Sequence, residues 1–151
     1  MKNYLPICVM ALGLIACASS NAAPSATPLV GKWHSDRRLT MNYFRKAVKT
    51  NSDTMQFLEG TTGRMTLEFT RDHVKADLPA FSFNVDTTPV HMPASHLESP
   101  YKVLSASAKA VSISVTEKGK ASTKTYNFDG KDTIWVATAG APPREYFTRI
   151  H

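Results

Sequence analysis

The chain has 151 residues, a formal net charge of +6 and two cysteines. That length suits a single domain with a modest export or linker segment. The basic excess is scattered and forms no run interleaved with aromatics, which argues against a nucleic-acid binder and for a solvated surface.

The chain opens with one positive charge, Lys2, and then an apolar stretch from Tyr4 to Ala16 that includes Leu5, Ile7, Val9, Leu12, Leu14 and Ile15. This is the layout of a signal peptide, residues 1–16. Its apolar core falls short of the roughly 20 residues that a permanent membrane span needs. Leu14-Ile15-Ala16-Cys17 resembles the bacterial lipobox. That resemblance implies cleavage before Cys17 and acylation of its thiol. Each buried methylene of an acyl chain contributes about 0.8 kcal/mol, so several chains make the attachment effectively permanent. Ala18 is not the aspartate associated with retention at the inner membrane. The expected location is therefore the inner leaflet of an outer membrane, facing the periplasm. The alternative is ordinary secretory cleavage after Ala22 or Ala23, which would leave a soluble periplasmic protein. On the lipobox reading Cys8 is discarded and Cys17 is lipidated, so the mature chain has no disulfide. Ala18 to Pro28 contains no large apolar residue, and residues 17–28 are expected to be a lipidated cysteine and flexible tether.

The remaining residues, 29–151, form the expected domain. Leu29 to Trp33 reads as a first strand, with Gly31 permitting close backbone approach before a large aromatic. Asp36 is placed to cap a helix whose Leu39, Tyr43, Phe44, Ala47 and Val48 share a face opposite Arg37, Arg38, Arg45 and Lys46. Ser52 or Asp53 would cap a second, short helix carrying Met55, Phe57 and Leu58, closed by Gly60. From Arg64 the period changes to two. Met65, Leu67 and Phe69 alternate with polar residues, as do Val74, Ala76 and Leu78 beyond Arg71-Asp72-His73, and the pair reads as a hairpin. Pro79, Pro89, Pro93 and Pro100 then predict a short strand over Phe81 to Val85 and a long irregular loop. Further strands follow at Tyr101–Leu104, Val111–Val115, Thr123–Phe128, Thr133–Ala137 and Arg144–Ile150. They are separated by the turns Glu117-Lys118-Gly119-Lys120 and Asp129-Gly130 and by a break at Ala141-Pro142-Pro143.

Seven or eight short strands with turn signals between them predict a mostly β fold: an antiparallel barrel with a helical pair inserted after the first strand. Gly31-Lys32-Trp33, Met65 to Thr70, Tyr126 to Gly130 and Glu145 to Ile150 together resemble small bacterial lipocalin-like lipoproteins. They are also similar to an uncharacterised proteobacterial group with a tryptophan strand, a helix and a closing Arg-Glu-Tyr-Phe strand. The resemblance implies that Gly31 and Trp33 close one barrel end beneath an arginine of the last strand, Arg149 first and Arg144 second.

Trp33, Phe69, Tyr126, Phe128, Trp135 and Tyr146 are candidates to line an apolar ligand pocket; a filled barrel interior would use the same residue types. His91, Met92 and His96 are weak candidates for metal, since imidazole and thioether suit copper. No catalytic motif is present: the chain lacks Gly-x-Ser-x-Gly, a phosphate-cradling glycine loop and His-Glu-x-x-His. The expectation is a lipid-anchored, non-enzymatic envelope lipoprotein without a cofactor that binds a small apolar ligand or lipid. The alternative is an interaction lipoprotein: a component of an envelope assembly, or an inhibitor or immunity protein against a wall-degrading enzyme.

Overall fold

The computed structural model describes residues 25–117, 119–137 and 144–151. The signal segment, Cys17 and residues 18–24 of the expected tether lie outside the described residues, as do Lys118 and the Ala141-Pro142-Pro143 break. Among the described residues, ten strands and two helices follow in chain order: β1 (Gly31–Ser35), α1 (Arg37–Ala47), α2 (Ser52–Thr61), β2 (Thr66–Phe69), β3 (His73–Leu78), β4 (Phe81–Val85), β5 (Thr88–Met92), β6 (Ser95–Ala106), β7 (Ala110–Glu117), β8 (Lys120–Phe128), β9 (Thr133–Ala137) and β10 (Arg144–Ile150). Eight of them close into an antiparallel, lipocalin-like barrel in the order β1-β10-β9-β8-β7-β6-β3-β2, and β4 and β5 form a separate two-stranded sheet.

The period-two alternation fixes which side chains enter the barrel. Trp33, Leu67, Phe69, Val74, Tyr101, Val111, Ile113, Val115, Tyr126, Ile134 and Phe147 are buried together in one core. Phe69 sits centrally, edge-on to Tyr126 at 5.1 Å and to Tyr101 at 6.1 Å between ring centroids. Such edge-to-face pairs suit the opposed polarity of ring edge and face.

One barrel end is shut by the N-terminal turn and the last strand. Trp33 Nε1 donates to the Leu29 carbonyl at 2.8 Å. The Arg149 guanidinium lies 4.1 Å from the centre of the Trp33 ring and donates to the carbonyls of Val30 and Pro28, both at 2.8 Å. Gly31 has φ +131°, and a Cβ there would stand 2.6 Å from an Arg149 nitrogen. Glycine is thus needed for both its backbone angle and its size. This end also corrects the expected tether: from Ser25 the chain belongs to the domain. The Leu29 N–H closes a turn on the Ala26 carbonyl at 2.7 Å, and Ala26 and Leu29 are buried in the core. The first strand accordingly starts at Gly31 rather than Leu29.

The helices and the small sheet gather at the opposite end. Asp36 caps α1 by accepting from Leu39 N–H at 2.9 Å. The buried stripe of α1 is Thr40, Met41 and Phe44, whereas Ala47, expected on the apolar face, is exposed. Thr40 is buried because its hydroxyl accepts from the Tyr146 N–H of β10 at 3.0 Å. The cap of α2 is Asn51, accepting from Thr54 N–H at 2.8 Å, in place of Ser52 or Asp53. Nor does Gly60 end that helix, which runs on to Thr61. Gly60 is a contact point instead, since a Cβ would come within 2.1 Å of the Phe83 ring. Arg45, from the expected basic face of α1, bridges to Glu59 of α2 at 2.8 Å.

The expected irregular loop is largely strand. Pro79 and Pro93 lie between strands, Pro89 lies on β5 of the two-stranded sheet, and Pro100 stands where β6 stops pairing with β3 and begins pairing with β7. A missing N–H is tolerated at edges and seams, though not within a central ladder. No helix among the described residues is long and apolar enough to cross a membrane.

Candidate functional site

The inward-pointing residues divide the barrel into two halves. Trp33, Phe69 and Ile134 fill the shut half and are fully buried, and Phe147, also fully buried, marks the boundary with the open half. At the other end the inward side chains are smaller or set apart, and a cavity of about 350 Å³ remains. Its wall includes Met65, Leu67, Val74, Ala76, Leu97, Val115, Tyr126, Val136 and Phe147, with Lys124 and Glu145 as its charged members. A second cavity of about 280 Å³ lies between the helices, the β4–β5 sheet and the barrel rim. It is lined by Thr40, Phe44, Phe57, Leu58, Leu78, Phe81 and Met92 among others, and Met65 and Glu145 line it as well. These two shared residues place the cavities side by side at one rim.

Glu145 is the chemically distinctive member of this site. It is the second residue of β10, in phase with Phe147, so its side chain points inward. The buried Ser35 hydroxyl donates to Glu145 Oε1 at 2.7 Å and accepts from Gly63 N–H at 3.0 Å. Among the described residues, the other carboxyl oxygen of Glu145 has no hydrogen-bond partner. Burial in this apolar rim pushes the Glu145 carboxyl above the usual carboxylate range, and the Ser35 hydrogen bond partly opposes the shift.

The six candidate pocket residues fall into three places. Tyr126 lines the barrel cavity. Trp33, Phe69 and Phe128 belong to the packed shut half, the first two fully buried and Phe128 packed against the core from its margin. Trp135 and Tyr146 point the other way along their strands and face each other across the β9–β10 pairing on the barrel's outer surface. There Arg144 lies over Trp135 at 3.9 Å and over Tyr43 at 4.9 Å, and Tyr43 meets Tyr146 at 6.1 Å. Arg144, the second choice for closing the barrel, thus fastens α1 to the outside wall. The trio Gly31, Trp33 and Arg149 comes together at the shut end.

His91, Met92 and His96 are not brought to a common point. His91 pairs with Ser82 on the small sheet at 2.7 Å, Met92 lines the outer cavity, and His96 pairs with Asp77 on the barrel at 2.5 Å. Among the described residues no three His, Cys, Asp or Glu side chains gather to hold a metal ion.

Of the six candidates only Tyr126 is a wall residue; the aliphatic lining and both charged members, Lys124 and Glu145, were missed. The available signal was phase: an acid two residues before Phe147 on an alternating strand must share its face. No family model matches the chain, and no curated protein matches it in sequence.

Proposed function

We propose that the protein is a non-enzymatic, lipid-anchored domain of the bacterial envelope that binds a small apolar ligand or lipid at the open end of its barrel. The single observation behind the ligand is the cavity of about 350 Å³ with a wall of aliphatic and aromatic carbon. That volume falls within the range of roughly 300–1,000 Å³ typical of small-molecule sites. The shape of the barrel favours the same reading, because packing is complete at one end and incomplete at the other. The anchor rests on Leu14-Ile15-Ala16-Cys17 and the apolar segment before it. On this reading Cys17 carries acyl chains and the domain faces the periplasm from an outer membrane. Residues 18–24 join the two.

Two measurements test the proposal. Protein purified from membranes should yield extractable lipid or another apolar molecule, and the delipidated protein should enhance the fluorescence of N-phenylnaphthylamine. Ala76→Phe places a ring in the cavity and should abolish that enhancement while the fold persists. A stoichiometric protein partner with no extractable ligand and no probe binding would overturn the ligand reading. Mass spectrometry of the mature N-terminus tests the anchor separately; an unmodified peptide beginning after Ala22 or Ala23 would remove it.

A further inference from the structure

The wall of the barrel cavity is apolar carbon interrupted by Lys124 on β8 and Glu145 on β10. These two charges select a ligand by its polar group. Glu145 stands where the cavities meet, one oxygen engaged by Ser35 and the other without a hydrogen-bond partner among the described residues. That oxygen is open to the cavity rather than sealed off, so a ligand entering there can donate a hydrogen bond to it in place of water. An anionic head meets the Glu145 carboxylate when that group is ionised. A cationic head meets Lys124 on the same wall and a chain with a net basic charge. A neutral head that donates a hydrogen bond meets neither objection.

We infer that Glu145 is the polar anchor of this site, taking the hydrogen-bond donor of a neutral, single-chain amphiphile, such as the hydroxyl of a long-chain alcohol or monoacylglycerol, whose chain lies in the barrel cavity. The Ser35 hydroxyl and Gly63 N–H hold the carboxyl in place. Met65, shared by both cavities, gives the chain an apolar path past the anchor. The inference rests on the binding function proposed above and specifies its ligand class.

The test is displacement of N-phenylnaphthylamine by decanol, its methyl ether, decanoate and decylammonium near neutral pH. Hydrophobicity alone ranks the ether above the alcohol, whereas the anchor reverses that order. Wild-type protein should prefer decanol to the ether by about tenfold, the worth of one well-placed hydrogen bond, and should prefer it to both charged amphiphiles. Glu145→Gln retains an acceptor and should keep the preference, whereas Glu145→Leu should lose it with circular dichroism unchanged. An ether that binds as tightly as decanol to the wild type, or a charged amphiphile that outcompetes decanol, overturns the inference whether or not the leucine variant folds. So does a folded Glu145→Leu protein with the wild-type ranking. Failure of N-phenylnaphthylamine to bind the wild type would instead overturn the binding function itself.

Discussion

Arg149 ties together three parts of the chain that are distant in sequence. Its planar guanidinium covers the Trp33 ring while two nitrogens reach the carbonyls of Val30 and Pro28. A third nitrogen lies 3.5 Å from Asp132. Hydrogen bonds from a charged group contribute about 1.5–3 kcal/mol each, and a cation over an indole about 0.5–2 kcal/mol. Water recovers part of this after truncation, because the guanidinium is partly exposed. Arg149→Ala should therefore cost about 2 kcal/mol and lower the thermal midpoint by roughly 8 °C. Arg149→Lys should rescue little of that loss, since one ammonium cannot span both carbonyls and the ring face. Thermal unfolding followed by circular dichroism measures both, and a lysine variant as stable as wild type would contradict this account. Gly31, Trp33 and Arg149 were legible in the sequence through the resemblance to lipocalin-like lipoproteins, which implies an arginine of the last strand over the tryptophan. Glu145 was not, because composition says nothing about which face of a strand an acid occupies until the phase of Phe147 is known.

At the scale of elements, alternation located the barrel strands, while the connections were harder to read. The four prolines suggested a loop because proline cannot donate to a ladder; yet β4, β5 and the first half of β6 accommodate Pro89 and Pro100 at an edge and a seam. Gly60 shows the same limit in a helix. Read alone it looks like a stop signal, but α2 continues through it so that Phe83 of β4 can lie against the backbone. Phe83 in turn meets Phe57 at 5.6 Å and Phe81 at 5.9 Å, and the small sheet is held to α2 by this cluster. Gly60→Ala sets two effects against each other. Helix propensity favours alanine by about 1 kcal/mol. Against that, a methyl group within 2.1 Å of a ring carbon forces the sheet to move, and overpacking typically costs about 1–3 kcal/mol. The clash should win. The variant should be less stable than wild type, with Phe57→Ala partly relieving the strain in a double-mutant cycle because it frees space for Phe83 to shift. A net gain in thermal midpoint from Gly60→Ala alone would show that the α2–β4 contact is loose.

Across the whole molecule the barrel is asymmetric. One end is shut by the N-terminal turn, Trp33 and Arg149; the other carries the helices, the small sheet, both cavities and the half-buried acid Glu145. At the shut end, Trp33 and Arg149 were legible through the resemblance those residues carry, whereas the turn that buries Ala26 and Leu29 reads in sequence as tether and first strand. The open end is made of what packing leaves out, which no pattern of residue types displays. Glu145 makes the difference measurable. A carboxyl whose folded-state value is raised above its unfolded one costs no stability below about pH 4.3, where both states are protonated. As the pH climbs, the unfolded chain ionises first while the folded protein still holds the proton. Stability therefore falls from that point and levels off only above the folded-state value. Glu145→Gln keeps the Ser35 hydrogen bond through its amide oxygen and removes the ionisation. The glutamine variant should then match wild type in acid and become progressively the more stable of the two toward neutrality, as urea unfolding at a series of pH values would show. An acid that costs stability at such a position is the pattern expected of a binding group, since stability and function commonly conflict at such sites. Parallel stability curves for the two proteins across that range would mean that the carboxyl is as well solvated in the fold as in the unfolded chain.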